Sequence, residues 1–134
     1  MGSILVIDDE EDIRDALKLI LESAGYDVTV ASTGDDALEL QRNKPADLII
    51  TDIIMPGKDG VTTIKELRHE FPGIRIIAIS GGGGIDAMTY KPEAITTTAY
   101  LAAAKQAGAD QAFTKPFERA ELLLAVDNLL KNLH

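Results

Sequence analysis

The 134-residue chain contains no cysteine and no tryptophan, and only 4% of its residues are aromatic. The lack of cysteine excludes disulfides, cysteine-ligated zinc, iron–sulfur clusters and thiol nucleophiles. The shortage of aromatic rings argues against a stacking surface for single-stranded nucleic acid. A long apolar run is also missing, and so is a leader with a basic start and an apolar core, which argues against a membrane span and a signal peptide. We therefore expect one cytoplasmic domain that does not bind membranes.

Acidic residues outnumber basic ones. The chain has 22 Asp and Glu against 13 Lys and Arg, which gives a formal net charge of −9. This balance argues against direct binding to nucleic acid or to anionic membranes. Solubility alone explains an acidic surface equally well, so the charge by itself assigns no function.

Short apolar runs alternate with helical patterns along the chain. Strands are predicted at Ile4–Ile7, Asp27–Ala31, Leu48–Thr51, Ile74–Ile79 and Gln111–Thr114, and helices near 13–21, 34–40, 61–67, 97–107 and 118–130. This alternation is typical of βαβ units, which build a doubly wound α/β fold with a five-stranded parallel sheet and helices on both faces. No internal repeat or linker is visible, so we expect one domain over 1–134, with 81–96 as a long glycine-rich insertion.

Polar side chains stand where the predicted strands end. Asp8 and Asp9 follow the first strand, Asp52 the third, Ser80 the fourth and Lys115 the fifth. In an open parallel sheet, ligands bind beyond the carboxyl ends of the strands. These five side chains are therefore expected to converge at one edge of the sheet.

The chemistry of these residues indicates a phosphoryl-transfer site. Three carboxylates at one place repel one another and need a cation, and oxygen-only ligands suit Mg²⁺. Lys115 can offset the charge of a phosphoryl oxygen, and Ser80 can donate a hydrogen bond to one. Asp52, on the central strand, is the best-placed nucleophile, since aspartyl phosphate is an established covalent intermediate.

Four sequence motifs carry a family resemblance. They are Val6–Glu10, Thr51–Gly60, Ser80-Gly81 and Thr114–Phe117, in this order over nearly the whole chain. Together they closely resemble the receiver domain of bacterial two-component response regulators, of the single-domain type similar to chemotaxis regulators. The resemblance implies a flavodoxin-like sheet with strand order 2-1-3-4-5.

The resemblance also implies a role for each metal-site residue. Asp52 would accept the phosphoryl group and bind Mg²⁺. Asp9 would bind Mg²⁺ directly, and Asp8 mainly through a water molecule. The backbone carbonyl of Ile54 would complete the protein ligands.

Two further residues and the partners follow from the same resemblance. Ser80 would hydrogen-bond the phosphoryl group, and Lys115, before a cis Pro116, would contact a phosphoryl oxygen, or Asp52 in the unphosphorylated state. The donor would be a sensor histidine kinase or a histidine phosphotransfer protein, and the output a contact with a downstream protein in a phosphorelay. Such a protein is not an enzyme beyond catalysing its own phosphorylation and dephosphorylation.

Three alternatives stay open at this point. The chain could be a receiver fragment of a hybrid kinase or of a longer regulator. A Mg²⁺-dependent phosphatase with an aspartyl nucleophile is opposed by Ile54, because those enzymes place a second Asp two residues after the nucleophile. An interaction module with an inactive site is opposed by the complete set of site residues.

The chain departs from the family pattern in two places. The stretch from Ser80 to Lys115 is longer than usual, and its excess at 81–96 fits a lid over Asp52 and a tolerated insertion equally well. The family's usual aromatic residue three positions before the lysine is Ala112 here. Phe113 follows it, and strand alternation predicts that Phe113 points to the opposite face of the sheet.

Overall fold

The computed structural model describes residues 2–53, 60–80, 102–114 and 118–131. Within these ranges, strands and helices alternate as the sequence pattern predicts. The predicted loop at 81–96 and residues 97–101 of the predicted fourth helix lie outside the described residues.

Five strands form one parallel sheet. They are β1 (Ser3–Ile7), β2 (Asp27–Ala31), β3 (Leu48–Asp52), β4 (Arg75–Ser80) and β5 (Gln111–Thr114). Their order is β2-β1-β3-β4-β5, and every neighbouring pair is parallel. The predicted doubly wound sheet and its strand order are confirmed. Strand order reverses beside β1, which opens a crevice at the carboxyl ends of β1 and β3 where such folds bind ligands.

Helices flank the sheet, and several of their ends lie at residues that the sequence marks. The helices are α1 (Glu11–Ser23), α2 (Gly34–Asn43), α3 (Gly60–Glu70), the described part of α4 (102–107) and α5 (Arg119–Lys131). Thr33 caps α2, because its hydroxyl accepts a hydrogen bond from the Asp36 N–H at 3.1 Å. Gly25 and Gly108, with φ of 100° and 128°, follow α1 and α4 in the positive-φ conformation with which many helices end. In the described ranges, none of these helices combines the length and apolarity needed to cross a bilayer.

Two apolar cores lie on opposite faces of the sheet. The α2/α3 core contains alternate residues of β1, β3 and β4 together with Leu38, Ile64 and Leu67. The α1/α5 core contains the intervening strand residues together with Leu17, Leu21, Leu122 and Val126. Successive strand residues point to opposite faces, so continuous apolar runs are what a sheet covered on both sides requires.

The strand ends differ slightly from the prediction. The fourth strand was expected at Ile74–Ile79, but it spans Arg75–Ser80, because the Ile74 N–H bonds instead to the Phe71 carbonyl in a turn at 3.0 Å. Asp52 and Ser80 are the last residues of their strands rather than the first residues after them. The sheet ladder therefore holds the backbone of both residues.

The prediction for the fifth strand is confirmed. Ala112 packs against the α2/α3 core, whereas Phe113 packs against the α1/α5 core. The aromatic ring of Phe113 consequently does not stand at the position where the family usually has its aromatic residue.

Candidate functional site

Three aspartates meet at the carboxyl edge of the sheet. Asp8 and Asp9 follow β1, and Asp52 ends the neighbouring strand β3, with Ile7 paired to Thr51. One carboxylate oxygen from each aspartate lies within 4.8 Å of the others. Asp8 and Asp52 are only 2% and 5% exposed, whereas Asp9 is exposed. The sheet thus assembles the acidic cluster that the sequence predicts.

The backbone around Asp8 is tightly held. The Asp8 N–H donates to the carbonyl of Ala31 at the end of β2, at 3.1 Å. The Glu10 N–H donates to Asp8 Oδ1 at 2.9 Å. On the other side, Arg14 Nη1 donates to the Asp8 carbonyl oxygen at 2.8 Å. These bonds fix the loop that carries both Asp8 and Asp9.

Sequence reasoning overlooked Arg14. A signal was present, because Arg14, Leu17 and Leu21 recur at i, i+3 and i+7, and both leucines are buried. Arg14 therefore lies on the helix face that is turned toward the protein, one turn into α1. An arginine on that face can reach back to the loop before its own helix.

The three carboxylates form an oxygen-only donor set. Carboxylate oxygens suit a hard cation, and Mg²⁺ commonly uses one or two carboxylates and keeps several water molecules. The exposed Asp9 leaves one side of the cluster open to water, while the burial of Asp8 and Asp52 strengthens their mutual repulsion. The cluster could accordingly bind a metal ion.

Ser80 is the second buried polar feature at this edge. It ends β4, the strand beside β3, and Asp52 pairs with Ile79 in the ladder. Ser80 is fully buried, and its Oγ has no hydrogen-bond partner within the described residues. Buried hydroxyl groups are normally hydrogen-bonded, since an unpaired one costs free energy. This hydroxyl is therefore available to an oxygen atom of a ligand.

The structure reports on four of the six predicted site residues. It brings Asp8, Asp9 and Asp52 together and places Ser80 at the end of the adjacent strand. Ile54 and Lys115 lie outside the described residues, and so does the predicted Lys115-Pro116 turn.

Comparisons with known proteins place this fold in a family. The family model of the response regulator receiver domain matches residues 4–127. The chain is 36% identical over 96% of its length to the alkaline phosphatase synthesis transcriptional regulatory protein PhoP of Bacillus subtilis (strain 168), and 32% identical over 100% to the transcriptional regulatory protein CpxR of Escherichia coli (strain K12). It spans 48% and 51% of those two relatives, which is about half their length.

A solved structure gives the same result in three dimensions. The crystal structure of a putative response regulator from Chloroflexus aurantiacus matches 98% of this chain and 98% of its own, with 31% identity and a TM-score of 0.80. The fold is that of response regulators, and it carries an aspartate cluster at the carboxyl edge of its parallel sheet. The chain belongs to the response regulator receiver domain family. Receiver domains act as switches in two-component signalling and are not classical enzymes, so the predicted family and signalling role are confirmed at that level.

Proposed function

We propose that Asp52 accepts a phosphoryl group from a phosphohistidine of a partner protein, in a reaction that depends on Mg²⁺. The observation that carries the proposal is the buried carboxylate of Asp52 at the end of the central strand, with two other carboxylates within 4.8 Å. A carboxylate is an established covalent acceptor of phosphoryl groups. The chemistry of the donor identifies the partner as a sensor histidine kinase or a histidine phosphotransfer protein.

The aspartate cluster fits a magnesium ion. Asp9, Asp52 and the backbone carbonyl of Ile54 would hold the ion directly, and Asp8 would hold it through water. When bound, Mg²⁺ supplies positive charge that offsets the repulsion between the acceptor carboxylate and the phosphoryl oxygens. The all-oxygen donor set and the burial of Asp8 and Asp52 support this assignment.

The residues at the sheet edge position and neutralise the transferred group. An Oδ atom of Asp52 forms a bond to phosphorus as the bond from phosphorus to the donor nitrogen breaks. The other ring nitrogen of the phosphohistidine carries a proton, so the imidazole keeps that electron pair and leaves in its neutral form. The Ser80 hydroxyl donates to one phosphoryl oxygen, and the Lys115 ammonium offsets the charge of another. The Oγ of Ser80 is buried and has no hydrogen-bond partner in the part of the chain that the structure describes. This supports the role, because a phosphoryl oxygen would supply the missing partner.

Phosphorylation then shifts a conformational equilibrium. The phosphoryl group adds close to two negative charges at Asp52. Ser80 and Lys115 bind this group better in one arrangement of the chain than in another. The equilibrium between the two arrangements therefore shifts toward the better-binding one by that difference in binding free energy. We propose that the output is a contact with a downstream protein. The formal charge of −9 opposes a direct contact of this domain with DNA, although the relatives of twice its length are transcriptional regulatory proteins.

Intact-protein mass spectrometry tests the acceptor assignment. The wild-type chain is incubated with acetyl phosphate and Mg²⁺, beside Asp52→Asn and the matched control Asp15→Asn, an exposed aspartate on α1. We expect one phosphoryl adduct on the wild type and on Asp15→Asn. The adduct should be absent from Asp52→Asn and absent from all three when Mg²⁺ is chelated. An adduct of equal size on Asp52→Asn would contradict the proposal.

A further inference from the structure

Gly60, the first residue of α3, lies directly against the backbone at the end of β3. A Cβ atom built on Gly60 would stand 2.3 Å from the Asp52 carbonyl oxygen and 2.4 Å from Ile53 Cα. The Gly60 N–H donates to the Ile53 carbonyl at 2.7 Å. The helix therefore begins in contact with the peptide that joins Asp52 to Ile53, and only a residue without a side chain fits this approach.

The same carbonyl has a second neighbour. The Thr51 hydroxyl donates to the Asp52 carbonyl oxygen at 3.0 Å, and Thr51 is fully buried. A hydrogen bond from a hydroxyl to a backbone carbonyl stabilises the fold most where it is buried, because water cannot replace the donor there. Thr51 and Gly60 consequently confine one oxygen atom of the Asp52 backbone.

We propose that Gly60 and Thr51 are positioning residues that set the place of the Asp52 carboxylate. Both act through the backbone of Asp52 and touch no reacting atom. This proposal rests on the proposed function, since it takes Asp52 as the phosphoryl acceptor. It goes further by assigning the rate of phosphorylation in part to two residues outside the metal and phosphoryl contacts.

Neither the end of β3 nor the start of α3 can move freely. The end of β3 is held by the bond from the Ile53 N–H to the Ile79 carbonyl at 2.9 Å. The helix is held by Ile64 and Leu67, which are fully buried in the α2/α3 core. Because close-packed interiors transmit strain, a side chain at Gly60 must displace the Asp52 peptide together with the start of α3.

The size of the displacement follows from the distances. A Cβ atom at 2.3 Å from the Asp52 oxygen must move beyond 3.0 Å, the lower limit that real Cβ contacts show. A misplacement on the order of 1 Å can lower the rate of a positioned reaction about 100-fold. Because α3 moves by part of this displacement and the Asp52 peptide by the rest, we expect Gly60→Ala to lower the maximal rate of phosphorylation about 10- to 100-fold.

The experiment compares Gly60→Ala with Gly73→Ala. A Cβ on Gly73 meets nothing within 4 Å, and its φ is not positive, so this control adds the same methyl group without a clash. The rate of phosphorylation is measured against acetyl phosphate concentration at saturating Mg²⁺, at a temperature where circular dichroism shows each variant folded. We expect the maximal rate of Gly60→Ala to fall while the half-saturating concentration stays near that of the wild type. Gly73→Ala should match the wild type in both.

A purely structural role for Gly60 predicts a different result. The unfolding temperature would then fall, while the maximal rate of the folded protein would equal that of the wild type. A change confined to the half-saturating concentration would likewise overturn the proposal.

Thr51→Val keeps the proposal testable if Gly60→Ala fails to fold. Valine matches threonine in shape and removes only the hydroxyl donor to the Asp52 carbonyl. We expect a several-fold lower maximal rate, and a wild-type rate would overturn the proposal.

Asp52→Asn and the wild type are measured in the same series. If the wild type itself gains no phosphoryl group on Asp52, the proposed function fails. If the wild type is phosphorylated and the variants match it, only the positioning role fails.

Discussion

Removing one charge from the aspartate cluster should stabilise the metal-free protein. Asp52→Asn keeps the shape of the side chain and removes one of three negative charges that lie within 4.8 Å of one another. Without Mg²⁺, those charges repel in the folded state, and they separate in the unfolded chain. We therefore expect Asp52→Asn to be more stable than the wild type in the presence of a chelator.

The distances set the magnitude of this effect. Two unit charges 4.8 Å apart repel by about 0.9 kcal/mol in bulk water and by about 3.5 kcal/mol at the effective dielectric of a protein surface. Asp52 faces two such charges, but Asp9 is exposed and the Glu10 N–H partly offsets Asp8. The substitution also changes a further interaction that Asp52 makes, which reduces the gain. The net gain should be about 1–3 kcal/mol, or roughly 3–10 °C in Tm for a domain of this size.

Thermal unfolding followed by circular dichroism measures the gain. The comparison is made in chelator between the wild type, Asp52→Asn and Asp15→Asn, which removes the same charge from an exposed site of the acidic protein. Mg²⁺ at 100 times its Kd should then stabilise the wild type by about 2.7 kcal/mol and Asp52→Asn by less. The reasoning is refuted if Asp52→Asn is no more stable in chelator than Asp15→Asn.

Three further predictions concern stability. Ile50→Ala should lower the free energy of unfolding by about 2–5 kcal/mol in urea titrations, because Ile50 is only 1% exposed, and a loss of a few tenths would contradict its burial. Gly108→Ala should cost about 1–2 kcal/mol by the same assay, because its φ is 128° and a Cβ would stand 2.9 Å from Arg68 Nε; an unchanged midpoint would speak against this strain. The hydrogen bond from Arg42, together with the positive charge of Arg42, lowers the pKa of Glu70 below its ordinary value of 4.5. The ion pair therefore stabilises the fold above pH 4.5, and this stabilisation is lost as the pH falls through the lowered pKa. The Tm difference between the wild type and Glu70→Gln should therefore be present at neutral pH and vanish in acid, and a difference that persists in acid would exclude this ion pair as its cause.

The sheet and the acidic edge could be predicted because they depend on local patterns. Apolar runs such as Leu48–Ile50 are buried on both faces, which is what a central parallel strand requires. The placement of Asp8 and Asp52 then follows from parallel strand direction alone. The alternation of Ala112 and Phe113 was equally predictable, since it needs only the two-residue period of a strand.

Contacts between elements could not be predicted in the same way. Gly60 was visible as part of a turn signal, but its approach to the Asp52 carbonyl depends on the angle at which α3 packs on the sheet. The bond from Arg14 to the Asp8 carbonyl depends on how α1 leaves β1. Distances of this kind are set by the packing of side chains from several elements.

The sequence by itself determined the fold class, the family and the residue types at the strand ends. It could do so because hydrophobic period and strand direction act over a few residues. Only the tertiary structure decided that three carboxylates lie within 4.8 Å of one another and that the Ser80 hydroxyl is buried without a partner in the described chain. It also decided that Gly60 packs directly against the backbone at the end of β3. These features arise where β1, β3, β4 and α3 meet, because close packing there fixes distances that residue order alone leaves open.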